Sequence, residues 1–480
     1  MRLNKTAILI FFLLSIAYGY FYQDPGANGN SRLALTMSMV KEGKLNIDTF
    51  TSETGGYRSS DFASFNGKIY TDKAIGSSIF AAMLYYPVFK LLGLFNIYLS
   101  VVAEKHLLTF LVIGLPSAIA GTMMFLVSES ITLSKLQAYV ITLALALGSM
   151  MFPFSVIFFG HQLAASLLFY AFFLIFYLKT NPTRSFTAIL FPGLIGLCLG
   201  MSFLTEMTTA IAIIPLIIYY FIIQKKNNQL YKLITWLVPA VCGVIPLSIL
   251  LMYNSLVYGH PLATGYQYLM DETFVQGMSQ GLMGINRPSL HVLFYETFHP
   301  AQGIFWQSPA LFLSVIGAVM MIKRKNAWLE LKLAGQIIAS YLLLNAGYYM
   351  WWGGWSFGVR HVIPMLPFFC LLLANLPYRT LPVFAGLTTL SIGQMLIVCA
   401  STILVPDNKL QTIAQLDFFS YSTIYNECLP LLQQDKYAWN MGSAWFGLSS
   451  WVSLMPLILL IVFVTVLIWR APKNSNKLAI

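Results

Sequence analysis

Long apolar runs recur along the whole chain and are separated by short polar segments. A run of about 20 apolar residues is the length that an α-helix needs to cross a bilayer. Such runs lie near residues 5–22, 107–127, 136–157, 162–178, 186–204, 208–223, 232–252, 305–322, 333–352, 362–376, 380–404 and 450–469. The pattern predicts an all-α, polytopic integral membrane protein with about 12 transmembrane helices.

One further apolar run, residues 77–96, does not fit an alternating topology. The segment before it must face outward and Lys179 must face inward, so an odd number of helices has to connect them. Pro87 and Lys90 interrupt this run, and its apolar residues form a stripe along one side of a helix. We therefore predict that residues 77–96 lie in the membrane interface without crossing.

Basic residues fall in the short segments between apolar runs, which is where cytoplasmic loops carry them. The clusters are Arg2 with Lys5, Lys179 with Arg184, Lys225 with Lys226 and Lys232, Lys323 to Lys332, Arg379, and Arg470 to Lys477. Both chain ends are then cytoplasmic, and residues 24–106, 254–304 and 405–449 form long extracytoplasmic segments. Nearly all carboxylates and all six histidines lie on this outer side, so we expect any chemistry there.

Composition supports a single integral membrane domain over residues 1–480. Hydrophobic residues make up 58% of the chain and charged residues only 9%. The net charge of +11 does not indicate a nucleic-acid partner, because the basic residues follow the topology. The five cysteines show neither a disulfide framework nor metal-binding spacing.

The segment from Tyr348 to His361 places one arginine in an aromatic, glycine-rich loop between two apolar runs. Glycines in this loop let a backbone approach a ligand closely. Arg360 stands at the predicted membrane boundary, where a lipid phosphate or pyrophosphate would lie, and Trp355 and His361 are candidates for further substrate contacts. The alternative is an interfacial anchor in which the arginine only snorkels to the headgroups.

The first outer segment carries a second candidate site. Ser31 is a plausible N-cap for a short helix from Arg32 to Glu42, ended by Gly43. Further on, Asp72 and Lys73 place an acid beside a base close to the membrane, where they can bind a phosphate and orient a hydroxyl group. The alternative is a solvated ion pair of little energetic value.

His161 and Glu206 interrupt the outward ends of two predicted helices. An ionisable residue at a buried boundary is costly and is by default a candidate functional residue, although Glu206 could simply cap the next helix. The other histidines show no metal-ligand spacing, so no metal site is indicated, yet a divalent metal stays possible. The sequence contains no P-loop, nucleophile elbow or dinucleotide fingerprint, which argues against ATP-driven transport, serine hydrolysis and redox chemistry.

The order of these features resembles the GT-C superfamily of polyprenyl-phosphate-dependent glycosyltransferases, in particular bacterial relatives of protein mannosyltransferases and of the lipid A aminoarabinose transferase. The matching parts are the outer helix with Arg32, the segment from Tyr70 to Gly76 in the place of an acidic-Lys-Pro motif, and the loop from Gly353 to Pro364. The resemblance covers most of the chain by topology and only these short motifs by residue.

The resemblance implies a sugar donor on a polyprenyl phosphate, an acceptor that is an envelope glycan, lipid or protein, and inversion at the anomeric carbon. It implies phosphate contacts by Lys73 and Arg360 and a further substrate contact by Arg32, with Asp72 shaping the site. It also implies the plasma (inner) membrane of a bacterium as the location. Relatives carry an Asp at the start of the outer helix, where this chain has Gly29-Asn30-Ser31. Asp24 is the nearest substitute as general base, and Asp72, His161 and Glu206 are the alternatives.

Two other functions remain open at this stage. An O-antigen-type polymerase or ligase also uses undecaprenyl-linked substrates, but such enzymes concentrate arginines in large late loops. A flippase or secondary transporter would show inverted repeats and charged, broken helices near the middle of the membrane. In this chain the charges lie at the outer boundary, which favours an outward-facing catalytic cleft.

Overall fold

The computed structural model describes residues 4–132, 134–181, 187–227, 232–324, 327–405 and 421–470. Within these ranges the chain is almost entirely helical, as the apolar runs predict. Residues 406–420 of the predicted outer segment 405–449 lie outside the described residues, as do the predicted cytoplasmic residues Arg2, Arg184, Lys325, Lys473 and Lys477.

The first half of the described chain forms twelve helices and one small hairpin. The helices are α1 (Lys5–Gly19), α2 (Gly26–Met37), α3 (Asp48–Thr51), α4 (Gly76–Leu94), α5 (Val101–Thr109), α6 (Leu115–Ile131), α7 (Lys135–Ala146), α8 (Met151–Ser155), α9 (Gly160–Thr180), α10 (Thr187–Thr205), α11 (Ala210–Lys226) and α12 (Leu233–Tyr258). Strands β1 (Ala63–Phe65) and β2 (Lys68–Tyr70) pair antiparallel.

The second half alternates long helices with short ones. These are α13 (Glu272–Met278), α14 (Leu290–Phe298), α15 (Ile304–Gln307), α16 (Ser314–Arg324), α17 (Trp328–Ala346), α18 (Leu366–Leu373), α19 (Leu381–Ala400), α20 (Leu429–Gln433), α21 (Met441–Phe446) and α22 (Met455–Arg470). Turns of 3-10 helix cover Met207–Thr209, Gly265–Gln267, Pro309–Leu313, Arg360–Met365, Tyr378–Thr380 and Ser450–Leu454, and π-helical turns cover Ser38–Glu42, Phe110–Gly114 and Thr423–Cys428.

Seven segments in the described part of the chain are long and apolar enough to cross a membrane, and the chain is a multi-pass membrane protein. They are Gly76–Leu94, Val101–Ile131, Gly160–Thr180, Met207–Lys226, Leu233–Tyr258, Tyr378–Ala400 and Ser450–Arg470. Five shorter apolar helices accompany them. The run predicted to lie in the interface is helix α4, which is therefore also long enough to cross.

The helix predicted to begin after Ser31 begins earlier, so the predicted N-cap is wrong. Helix α2 starts at Gly26, directly after Pro25, and Ser31 lies inside it. The reason is local: proline fixes a backbone angle suited to the start of a helix, and the Asp24 carboxylate accepts a hydrogen bond from the Gly26 amide at 2.9 Å. Gly43 ends the helical segment with φ +65, as predicted.

The arginine loop is longer than the apolar runs predict. Helix α17 ends at Ala346 instead of residue 352, and the next helical turn begins at Arg360. Gly353, Gly354 and Gly358 all have positive φ, which a helix excludes. Residues 347–359 are called the aromatic loop below, and Arg360 stands at the N-terminal end of the following 3-10 turn.

Helices α10 and α12 pack closely through glycines. A Cβ atom added to Gly196 would lie 2.0 Å from the carbonyl oxygen of Pro239. Small residues at such a crossing let two membrane helices approach and gain van der Waals contact. Pro239 has no N–H for the Thr235 carbonyl one turn earlier, and the Tyr220 hydroxyl donates to that oxygen at 2.9 Å instead.

We expect Gly196→Ala to lower the melting temperature of the protein in detergent, because the added methyl group clashes with the Pro239 backbone and overpacking costs about 1–3 kcal/mol. Gly393→Ala is the matched control, since Gly393 is also helical and has no atom within 4 Å of an added Cβ. Thermal unfolding of both variants checks this expectation. Equal melting temperatures would show that the two helices separate without loss.

Candidate active site

Segments that are far apart in sequence meet on the side of the molecule that carries Arg360. Ala63 of β1 pairs with Leu269, and Ile285 pairs with Tyr348 of the aromatic loop. The amide of Ser64 also donates to the Tyr268 carbonyl at 2.9 Å. These backbone contacts join the first outer segment, the 254–304 segment and the aromatic loop into one surface.

Arg32 and Glu206 form a buried ion pair beneath this surface. Their charged atoms are 2.8 Å apart. The Arg32 guanidinium also donates to the Ala74 carbonyl at 2.8 Å, to Ser77 Oγ at 3.2 Å and to Asn28 Oδ1 at 3.3 Å. Most of its N–H groups therefore donate to other residues of the protein. Arg32 thus holds the neighbouring segments of the site together.

Glu206 occupies the break between two membrane helices, as the sequence predicts. Helix α10 ends at Thr205 and a 3-10 turn begins at Met207. The interpretation of Glu206 as a simple cap is wrong, because its side chain makes no capping hydrogen bond and receives Arg32 instead. The carboxylate therefore joins this helix break to α2.

Lys73 is held between two carboxylates. Its Nζ lies 2.8 Å from Asp72 Oδ2 and 2.9 Å from Asp61 Oδ2. Burial alone would lower the pKa of Lys73, but the two carboxylates outweigh it and raise the pKa above its usual range. Burial raises the pKa of Asp72. Lys73 thus stays charged at any physiological pH, and its own charge is already compensated.

Asp61 is a site residue that the sequence analysis missed. The signal lies in Asn66-Gly67, a dipeptide typical of two-residue hairpin turns, with φ +49 and +74 here. The hairpin pairs Ala63 with Tyr70, and continuing that register brings residue 61 opposite residue 72. Reading the turn as a hairpin would have placed Asp61 beside the Asp72-Lys73 pair.

Arg360 is the least compensated cation of the site. Its Cζ lies 5.1 Å from the ring centroid of Phe159, and its Nε is buried without a hydrogen-bond partner. Among the ion pairs between described residues none contains Arg360. The charges of Asp61 and Glu206 act on it from a longer distance. A cation without a direct counter-ion can form charge-assisted hydrogen bonds to an anion.

Two histidines, predicted separately, come together beside Arg360. The rings of His161 and His361 are 5.1 Å apart and nearly perpendicular, and Tyr348 packs on the other side of His361 at 5.1 Å. His161 Nδ1 is 3.7 Å from Glu206 Oε1. His161 Nδ1 and His361 Nε2 are buried and have no hydrogen-bond partner among the described residues. Both rings thus offer polar atoms at the site.

The described His, Asp and Glu side chains of the site do not form a metal-binding cluster. Within the ranges that the structure describes, no set of three or more His, Cys, Asp or Glu side chains is arranged to hold a metal ion. The two histidines and Glu206 stand together through ring packing and one long contact.

Asp24 and Trp355 lie apart from these contacts. Asp24 accepts from the Gly26 amide and pairs with Lys105 at 3.1 Å, and 55% of its side chain is exposed. Trp355 is 60% exposed at the outside of the aromatic loop. Neither residue contacts Lys73 or Arg360. The structure therefore brings together seven of the nine predicted site residues, which are Arg32, Asp72, Lys73, His161, Glu206, Arg360 and His361.

The 254–304 segment covers Lys73 with aromatic residues. The Phe274 ring lies 5.8 Å from Lys73 Nζ, and Tyr266 is close enough for its hydroxyl to act on the charge of Lys73. A Cβ on Gly265 would lie 2.8 Å from the Asp72 Cα. Two segments therefore line the site around Lys73: residues 24–106 on one side and residues 254–304 on the other.

No protein-family model matches the chain, and no curated protein sequence matches it. Among solved structures, ArnT from Cupriavidus metallidurans in the apo state is similar with 12% identity and a TM-score of 0.48, over 97% of this chain and 71% of that one. The Archaeoglobus fulgidus oligosaccharyltransferase is similar with 10% identity and a TM-score of 0.42, over 96% of this chain and 56% of that one. The arabinosyltransferase EmbB from Mycobacterium smegmatis is similar with 11% identity and a TM-score of 0.40, over 97% of this chain and 40% of that one.

Proposed function

We propose that this protein transfers a sugar from a polyprenyl-phosphate donor to a glycan, lipid or protein of the cell envelope. The chain crosses the membrane about 12 times in this proposal, with both ends in the cytoplasm and the site on the extracytoplasmic face of a bacterial plasma membrane. The sugar is a hexose or a pentose, and its anomeric carbon is inverted.

The observation that carries the proposal is Arg360. Arg360 is half-buried and has no carboxylate in direct contact among the described residues. Such a cation is costly unless it binds an anion, and a phosphate at the membrane boundary would supply one. Phe159 and the glycine-rich backbone around Arg360 leave the guanidinium accessible on the side of the aromatic loop. A lipid phosphate reaches this position from the membrane, whereas a soluble nucleotide sugar has no comparable reason to use it.

The chemistry follows from the positions of the charges. An acceptor hydroxyl attacks the anomeric carbon, the bond from that carbon to the phosphate oxygen breaks, and polyprenyl phosphate leaves with the electron pair. Arg360 stabilises the charge on the leaving phosphate, and Lys73 holds Asp61 and Asp72 in place. The hydroxyl proton passes to a carboxylate.

Asp61 is the carboxylate that we propose as the proton acceptor. All three carboxylates of the site are ion-paired, but the Asp61 side chain is the most exposed, at 14%, against 10% for Glu206 and 1% for Asp72. The charge of Asp61 also acts on Arg360, so the proposed base and the phosphate site share one region. His161 and His361 then contact the sugar or the acceptor through their free ring nitrogens, and Trp355 offers an exposed ring for stacking.

An O-antigen-type polymerase or ligase would use the same phosphate site with a larger acceptor. A lipid-linked sugar flippase would bind the same lipid and release no polyprenyl phosphate. The compensated Lys73 and the nearby carboxylate favour bond cleavage over transport, because a binding site for the lipid alone does not need a proton acceptor.

We expect Arg360→Ala to lose at least about a hundredfold in turnover, since one preorganised charge at a leaving group contributes on this order. The measurement uses purified protein in detergent, undecaprenyl phosphate carrying candidate radiolabelled sugars, and an envelope extract as acceptor. Release of undecaprenyl phosphate is scored.

Arg287→Ala is the matched control for this measurement, because Arg287 is an exposed arginine of the 254–304 segment. It should keep full turnover. A folded Arg360→Ala variant as active as the control would remove the phosphate role. No release with any donor by the folded wild-type protein, with labelled lipid still bound, would favour the flippase.

Asp61→Asn tests the proposed base. The amide keeps the shape of the side chain but cannot take a proton, so kcat should fall by about two to four orders of magnitude while donor binding changes little. Parallel measurements on Asp24→Asn, which carries an exposed carboxylate outside the cluster, give the comparison. A larger loss in Asp24→Asn would move the base to Asp24.

A further inference from the structure

Glu296 is a buried carboxyl group that the proposed transfer does not use. It lies on α14, and its side chain has no solvent exposure. Asn345 Nδ2 donates to Glu296 Oε2 at 2.6 Å, while Oε1 has no partner among the described residues. A carboxyl group buried with a single hydrogen bond is expensive, and it persists only where it has a role.

The partner of Glu296 leads directly to the aromatic loop. The same Asn345 amide nitrogen donates to the Trp351 carbonyl at 3.1 Å, so its two hydrogens join α14 to the loop. The Tyr295 and Trp351 rings are 6.0 Å apart. These contacts hold the first part of a loop whose last part leads into Arg360.

Backbone contacts place the start of the loop against the same region. The Asn286 amide donates to the Gly347 carbonyl at 2.7 Å, and the Ser289 amide donates to the Ala346 carbonyl at 3.0 Å. The residues before α14 therefore run beside the end of α17. Glu296 is a fully buried carboxyl group in this contact between the 254–304 segment and the aromatic loop.

We propose that Glu296 is a positioning residue: through Asn345 it holds the Trp351 carbonyl, and with it the aromatic loop, in the conformation that presents Arg360 to the donor phosphate. This inference rests on the proposed function for the identity of the ligand. The role of Glu296 in the conformation of the loop does not depend on the proposed function. Glu296 touches neither Arg360 nor the reacting atoms, so its effect passes through the loop.

The protonation of Glu296 makes this contact sensitive to pH. Burial raises the pKa of Glu296 from 4.5 to about 8, and the hydrogen bond from Asn345 lowers it only in part. The other titratable groups on the surrounding elements are His291 and Tyr295 on α14, His299 directly after it, and Glu330, Lys332 and Tyr341 on α17. Burial lowers the pKa of His299 to about 4, so that ring is neutral and does not compensate an ionised Glu296.

The sign of the pH effect follows from the raised pKa. The folded protein binds the Glu296 proton more tightly than the unfolded chain does. The stabilisation is complete below pH 4.5, declines as the pH rises, and is lost once the pH passes about 8. The loop should therefore loosen, and donor affinity should fall, between pH 7 and pH 9.

The test is a double-mutant cycle on undecaprenyl phosphate binding to the full-length protein in detergent. Glu296→Ala should weaken binding by roughly tenfold when Arg360 is present and have no effect in an Arg360→Ala background, because the two residues act in series. Glu296→Gln keeps the acceptor oxygen and should bind normally at pH 7, without the loss at pH 9. An equal effect of Glu296→Ala in both backgrounds would overturn the proposal.

Hydrogen exchange of residues 347–359 without ligand separates this inference from the proposed function. Glu296→Ala should speed exchange in this loop, whereas Glu272→Ala, at an exposed glutamate of the same segment, should not. If exchange responds but no variant binds undecaprenyl phosphate, the proposed function fails and the positioning role stands. If exchange in the loop is unchanged, the positioning role fails whatever binds.

Discussion

The rest of the site depends on one constraint, the cost of burying charge near a membrane. The ion pair of Arg32 and Glu206 meets that constraint by joining an outer helix to a break between two membrane helices. Breaking a buried pair by removing one partner costs about 3–5 kcal/mol, so each charge fixes the other. Gly160, at the start of α9, stands so close to both that an added Cβ would lie 2.4 Å from Glu206 Oε1. The ion pair of Arg32 and Glu206 therefore fixes the positions of helix α9, helix α2 and the helix break relative to one another.

The three cations of the site differ in the number of carboxylates that pair with them. Lys73 has two carboxylates, Arg32 has one together with neutral acceptors, and Arg360 has none in direct contact within the described part of the chain. Three cations and three carboxylates, Asp61, Asp72 and Glu206, balance when both histidines are neutral. A bound phosphate would thus add its negative charge to a site of no net charge, and would gain most from the one cation without a partner.

Much of this arrangement could be predicted from the sequence. Apolar runs identified the helical membrane class, and ionisable residues at helix ends identified His161 and Glu206, because burying such groups without purpose is costly. The partnership of Arg32 with Glu206 could not be predicted, since 174 residues separate them and no local pattern encodes the contact. The position of Asp61 beside Lys73 could be predicted only by recognising the hairpin turn. No sequence pattern distinguished Glu296 from the other polar residues of the 254–304 segment. Asp24 is a candidate base by sequence proximity, and in three dimensions it accepts a hydrogen bond from the Gly26 amide at the start of α2.

The two-stranded hairpin imposes a rule on chain length. Strand residues alternate between faces, so adding or removing one residue at the Asn66-Gly67 turn would reverse the face on which everything before it lies. Asp61 would then point away from Lys73, and the lysine would keep only its neighbour in sequence. The stretch between Gly43 and Tyr57 is tied to the same hairpin, because the Ile47 amide donates to the Ile69 carbonyl at 2.8 Å. Selection should therefore act against insertions and deletions at this two-residue turn, because they would separate Asp61 from Lys73.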